Sequence, residues 1–97
     1  MKKTDKKREK SIVQGLTRVC EIAKNEVSGF EWLTHTIDYD DFPNSLMVHC
    51  IFTSDESIRQ VIDLGQDEAI FKLIYDELVL IDINFKDISH RVTFDTK

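Results

Sequence analysis

The stretch from Phe30 to Phe52 constrains the fold of this chain more than any other. From Phe30 to Tyr39, aromatic and β-branched residues alternate with polar ones at the period of two that belongs to a strand. Asp40-Asp41-Phe42-Pro43-Asn44-Ser45 is rich in turn formers; Pro43 fixes its own φ and pushes Phe42 away from helical geometry. Leu46 to Phe52 then reads as an antiparallel partner strand. A simple hairpin with Tyr39 opposite Leu46 pairs Ile37 with Val48, His35 with Cys50 and Leu33 with Phe52 on one nearly apolar face, which belongs on a core. The other face collects Trp32, Thr34, Thr36, Asp38, Met47, His49 and Ile51. A slip of one residue would mix the two sets, so the pattern supports this register.

Helical spacing flanks the hairpin on both sides. Ile12, Val13, Leu16, Val19, Cys20, Ala23 and Val27 recur at steps of three and four, while Arg18, Glu21, Lys24 and Glu26 mostly take the wet side. Thr4 or Asp5 is a candidate cap, Gly15 interrupts the helix, and Ser28-Gly29 ends it with a glycine suited to the left-handed conformation. After the hairpin, Thr53 to Glu56 has capping-box spacing and opens a short helix with Ile58, Val61 and Ile62 inward, closed by Gly65. Asp67 caps a third helix, with Ile70, Leu73, Ile74 and Leu78 along one side, running to about Leu80. Residues 78–85 also fit a buried strand; the helix is preferred, with an extended segment from near Ile83. Arg91 to Asp95 alternates again and makes a short closing strand.

These elements give an α+β chain in the order α-β-β-α-α-β: a two-layer sandwich with helices on one face of a small, mostly antiparallel sheet. At 97 residues there is room for one core, so residues 11–97 form a single domain preceded by a basic arm or frayed helix start at residues 1–10. Those ten residues hold six Lys or Arg against two acids; since the whole chain carries −5, the remainder carries −9. A body that acidic repels nucleic acid unless its few cations cluster. No apolar run approaches the ~18 residues of a membrane span, which points to a cytoplasmic protein without a membrane partner.

The element order is also that of the type II KH fold, in which a GxxG loop between two helices clamps a nucleic-acid backbone. The matching segment is Gly65-Gln66-Asp67-Glu68, where Glu68 replaces the second glycine and Asp67 adds charge of the wrong sign. A closer resemblance covers nearly the whole chain. Lys3-Thr4-Asp5-Lys6-Lys7, Gly29-Phe30-Glu31-Trp32-Leu33-Thr34-His35, Asp38-Tyr39-Asp40-Asp41-Phe42-Pro43 and Val92-Thr93-Phe94-Asp95-Thr96 resemble a family of small, uncharacterised bacterial proteins. Some members carry a Fis-type transcriptional-regulator label. Fis itself is an all-helical dimer ending in a basic helix-turn-helix, whereas this chain has a central hairpin and an acidic C-terminal half. The resemblance therefore supplies a family and no catalytic residues.

Candidate chemistry is sparse. His35 facing Cys50 would activate a thiol if the pair were accessible, but the same face is the expected core. His49 and Cys50 are adjacent on a strand and point oppositely, which works against a shared metal with His35. Asp38, Asp40 and Asp41 lack the glycine and distal glutamate of a calcium loop and read as a solvated turn. Phosphate-binding, HExxH and Gly-x-Ser-x-Gly motifs are absent. Cys20 and Cys50 have no CxxC neighbour and read as reduced thiols. The expected function is a non-enzymatic interaction domain without cofactor or metal, either a homodimer or a protein-binding adaptor. Its surface would be Trp32, Thr34, Thr36, Met47, His49 and Ile51, or a sheet edge. The alternative is a degenerate KH-like RNA or ribosome-associated protein contacting nucleic acid through Lys2, Lys3, Lys6, Lys7, Arg8, Lys10 and Arg18, with Arg59 and Lys72 in support.

Overall fold

A computed structural model describes residues 3–97, so Lys2 lies outside the described residues. Three helices, α1 (Lys3–Glu26), α2 (Asp55–Asp63) and α3 (Gln66–Val79), pack on one face of a sheet formed by β1 (Phe30–Thr36), β2 (Met47–Phe52) and β3 (Val92–Thr96). The α-β-β-α-α-β order and the two-layer arrangement are those expected from the sequence. The sheet is mixed: β2 lies in the centre, antiparallel to β1 and parallel to β3. The parallel pairing follows from the path of the chain, since α2 and α3 carry it back across the sheet before β3 begins.

Residues 3–10 are the first turns of α1. Thr4 and Asp5 consequently lie inside the helix, where Asp5 complements the dipole of the first turn. Ile12, Leu16, Val19 and Ala23 are buried against the sheet and α3. Gly15 faces Glu77 of α3: a β-carbon there would meet the Glu77 Cβ at 3.4 Å, an ordinary contact, so the site excludes long side chains and tolerates a methyl group. Gly29 is constrained more severely. Its φ is +86°, and an added Cβ would fall 2.5 Å from both Cβ and Oγ of Ser57.

The other helix boundaries differ from expectation by a residue or two. Thr53 is held as an extension of the hairpin by its N–H bond to Gly29 C=O, so Ser54 caps α2 and accepts from Ser57 N–H. Asp67 sits within the first turn of α3, whose cap is the left-handed Gly65 with φ +73°. Helix α3 stops at Val79, and residues 80–82 turn back through Asp82 at φ +64°, placing Ile83 in the core. Residues 78–85 thus contain no strand, and a 3-10 turn at Ile88–Arg91 leads into β3.

The hairpin register is the main local correction. The pairs are Leu33 with Cys50, Thr34 with His49, His35 with Val48 and Thr36 with Met47, two residues away from the expected alignment. Tyr39 does not extend β1; Tyr39–Asp41 forms a 3-10 turn capped by the Asp38 carboxylate, which accepts from Asp40 N–H. The longer connection moves the alignment by two. Because the shift is even, every residue from Trp32 onward keeps its face. At the far end, an irregularity between Phe30 and Trp32 adds one residue and changes the parity, so Phe30 packs inward edge-on to Phe52.

Candidate functional site

With all three helices on one side, the other face of the sheet is open. Trp32, Ile51 and Asp95 form one row across the strands, Thr34, His49 and Thr93 the next, and Thr36 pairs with Met47 beyond them. The C-terminal segment does not cover this surface. It extends the sheet as β3 and turns Phe94 inward, where the ring meets Phe52 and Phe71. Trp32 remains 42 % exposed.

The polar part of the open face is fixed in place. His49 Nε2 lies 3.1 Å from Thr36 Oγ1, and His49 Nδ1 lies 2.7 Å from Thr93 Oγ1. Both ring nitrogens are therefore occupied by hydroxyls from the two flanking strands, and the imidazole acts as a tie across the sheet. Trp32 and Ile51 stand beside this row as the apolar part. All six residues expected to form an interaction surface share the face: Trp32, Thr34, Thr36, Met47, His49 and Ile51. Asp38 was grouped with them in the sequence, but it belongs to the loop cap.

The His35–Cys50 pair is not formed. His35 stands opposite Val48, and its Nε2 lies 2.9 Å from Glu9 Oε1 on α1. Tyr39 O–H donates to the other carboxylate oxygen of Glu9. Burial, followed by the hydrogen bond and negative charge of Glu9, holds the Tyr39 phenol well above its ordinary range. Cys50 is fully buried, and desolvation, with a smaller contribution from Cys20, pushes its pKa up to about 12. A thiol in that environment is protonated and has no access to substrate. The Glu9–His35–Tyr39 cluster had a signal in the sequence: Glu9 is three residues before Ile12 and seven before Leu16, a carboxylate on the buried stripe of α1. Such a group requires a polar partner from the element it faces.

The basic residues divide into two groups. Arg18 makes a bidentate contact with Glu77, with Nη2 to Oε2 at 2.8 Å, and ties α1 to α3; Glu77 also drives the guanidinium pKa further upward. Arg8 lies over the Phe42 ring at 4.4 Å, and Lys72 pairs with Asp76 within α3. Lys3, Lys6, Lys7 and Lys10 make no ion pair among the described residues. The turn equivalent to GxxG is distant from them. Arg18 meets Glu77 while Arg8 shares a cleft with Ile81, so α1 and α3 run antiparallel. Gly65, at the start of α3, is therefore about 20 Å from the end of α1 where those lysines cluster. Leu64 and Gly65 form a two-residue turn between the two helices, with Asp63, Asp67 and Glu68 close in sequence.

A groove of about 340 Å³ runs between α1 and the free edge of β1, lined by Val13, Leu16, Cys20, Leu33 and His35 among others. A wider cleft of about 610 Å³ continues along the same edge past Thr34, His35 and Thr36 to Tyr39 and Glu9. No group of three or more His, Cys, Asp or Glu among the described residues is placed to hold a metal ion. No helix among them is long and apolar enough to cross a membrane. Comparisons with protein families, curated proteins and solved structures return no match.

Proposed function

We propose that this protein is a non-catalytic interaction module that engages a protein partner through the open face of its sheet. The observation that carries the reading is the uncovered surface itself: a Trp anchor beside Ile51, a hydroxyl–imidazole row already held in position, and Met47 on the far side of that row. A surface of this composition combines an aromatic hot spot with preformed polar groups, so little side-chain entropy is lost on binding. The row holds no Lys or Arg, which favours a protein over a polyanion. The buried Cys50 thiol supports a non-catalytic role. The test is capture from a native lysate, analysed for protein and RNA. The unaltered chain is expected to retain a defined protein, and Trp32→Ala with Met47→Ala is expected to lose it while keeping the helical circular-dichroism signal. Equal capture by both would refute the assignment.

A KH-like RNA or ribosome-associated role is supported by one observation, the cluster of Lys3, Lys6, Lys7 and Lys10 on the first turns of α1, which make no ion pair among the described residues. Under that reading the same capture returns RNA, affinity falls steeply with salt, and Lys6→Glu with Lys10→Glu abolishes it. The distance between these lysines and the acidic turn at Gly65 favours the protein-partner reading.

A further inference from the structure

We infer that two copies of this chain associate through the β1 edge, forming one continuous six-stranded sheet with a twofold axis at Thr34. The groove marks the β1 edge, and the backbone geometry selects the axis along it. Thr53 N–H bonds Gly29 C=O on the β1 side, whereas Lys97 N–H bonds Phe52 C=O on the β3 side. Backbone groups alternate along a strand, so Met47, His49 and Ile51 aim theirs at β1. Their partners Thr36, Thr34 and Trp32 are therefore the hydrogen-bonded pairs of the hairpin. Leu33 and His35 are left with N–H and C=O directed away from the sheet. These two residues are symmetric about Thr34. In an antiparallel pairing about that point, Leu33 of each copy exchanges two hydrogen bonds with His35 of the other, four in all, and no free edge group between them is left unmatched.

The side chains are compatible with this arrangement. On the helix side, Leu33 and His35 of the incoming strand meet the apolar groove whose walls include Val13, 45 % exposed, and Cys20. On the open side, Thr34 meets its own copy and Trp32 stands opposite Thr36. The edge also lacks the usual safeguards against pairing. There is no Pro or Lys in β1, and the irregularity lies at Glu31, at the far end from Thr34 and His35.

The edge is favoured over the face as the contact between copies by its backbone groups and its groove. Three strands spaced ~4.8 Å apart and ~20 Å long present a face of roughly 300 Å², below the ~600–1,000 Å² per partner of a stable interface. The edge instead offers main-chain groups that point away from the sheet together with the groove of about 340 Å³ beside it, so hydrogen bonds and apolar side chains are buried at once. Pairing also doubles the open face to roughly 600 Å², enough for a protein partner across both copies. The inference stands independently of that partner, because it rests on the edge and not on the Trp32 surface.

The test uses the intact chain with Cys20→Ala and Thr34→Cys, oxidised mildly at micromolar concentration. Residues facing each other in a non-hydrogen-bonded pair have Cα atoms ~4.5 Å apart, within disulfide range. A covalent dimer is expected for Thr34→Cys and not for Thr36→Cys, which faces Trp32 of the other copy. Sedimentation of the unaltered chain is expected to give twice 11.3 kDa, with Val13→Asp weakening association at least tenfold by bringing carboxylates into the groove. Met47→Ala with Ile51→Ala, on the central strand, is expected to keep the dimer while losing partner capture. An 11.3 kDa species at hundreds of micromolar, or equal crosslinking at positions 34 and 36, would overturn the inference.

Discussion

Gly29→Ala tests how the hairpin is locked to the helical layer. Two separate costs arise at this position. The backbone is left-handed at φ +86°, which costs an L-residue about 1 to 2 kcal/mol. The new Cβ also lies 2.5 Å from Ser57 Cβ, about 1 Å inside normal contact, and the obstacle is on the first turn of α2, not at the end of a flexible side chain. Relieving it displaces the helix start, at the ~1 to 3 kcal/mol typical of overpacking. The total expected loss is about 2 to 5 kcal/mol, measured by urea unfolding with m held constant. Ser57→Gly removes the obstacle and leaves the backbone cost. In a double-mutant cycle the pair is therefore expected to show a coupling of about 1 to 3 kcal/mol. A loss below about 1 kcal/mol for Gly29→Ala, or additivity in the cycle, would refute the close approach of the hairpin end to α2.

Gly15 should behave oppositely. Alanine gains about 0.5 to 1 kcal/mol of helix propensity and meets Glu77 at ordinary contact distance, so Gly15→Ala is expected to raise the unfolding midpoint, while Gly15→Leu is expected to lower it. For Cys50, the folded pKa of about 12 stands above the ordinary thiol value, so the unfolded state loses its proton first as pH rises. Stability from this source is intact below about pH 9 and declines toward pH 12; by pH 10 the loss is about 1 to 2 kcal/mol, and Cys50→Ala should flatten that slope. Thiol labelling at neutral pH should modify Cys20, which is partly exposed, long before Cys50.

The parts of the fold that were legible in the sequence are those governed by strict periodicity. The 3.6-residue stripe of α1 and the twofold alternation from Trp32 to Phe52 each place their apolar residues in the core without knowledge of the neighbours. The six residues of the open face follow from the same alternation, which is why an error of two in the register left the surface unchanged. Features set by tertiary contact were not legible. The irregularity near Glu31 depends on Phe30 reaching Phe52, and the cap of α2 moved to Ser54 because Thr53 remains bonded to Gly29. The direction of β3 depends on how far α2 and α3 carry the chain, and alternation alone cannot state it. Alternation points His35 toward Cys50 because both face the core, whereas a carboxylate twenty-six residues earlier offers it a hydrogen bond.

The most direct measurement of the central claim places a photo-reactive amino acid at Ile51, in the middle of the open face, and at Gln14 on the outer side of α1, in the native cell. The account expects a discrete protein adduct from position 51 and none from position 14. Equal labelling from the two positions, or adducts from position 14 alone, would contradict it.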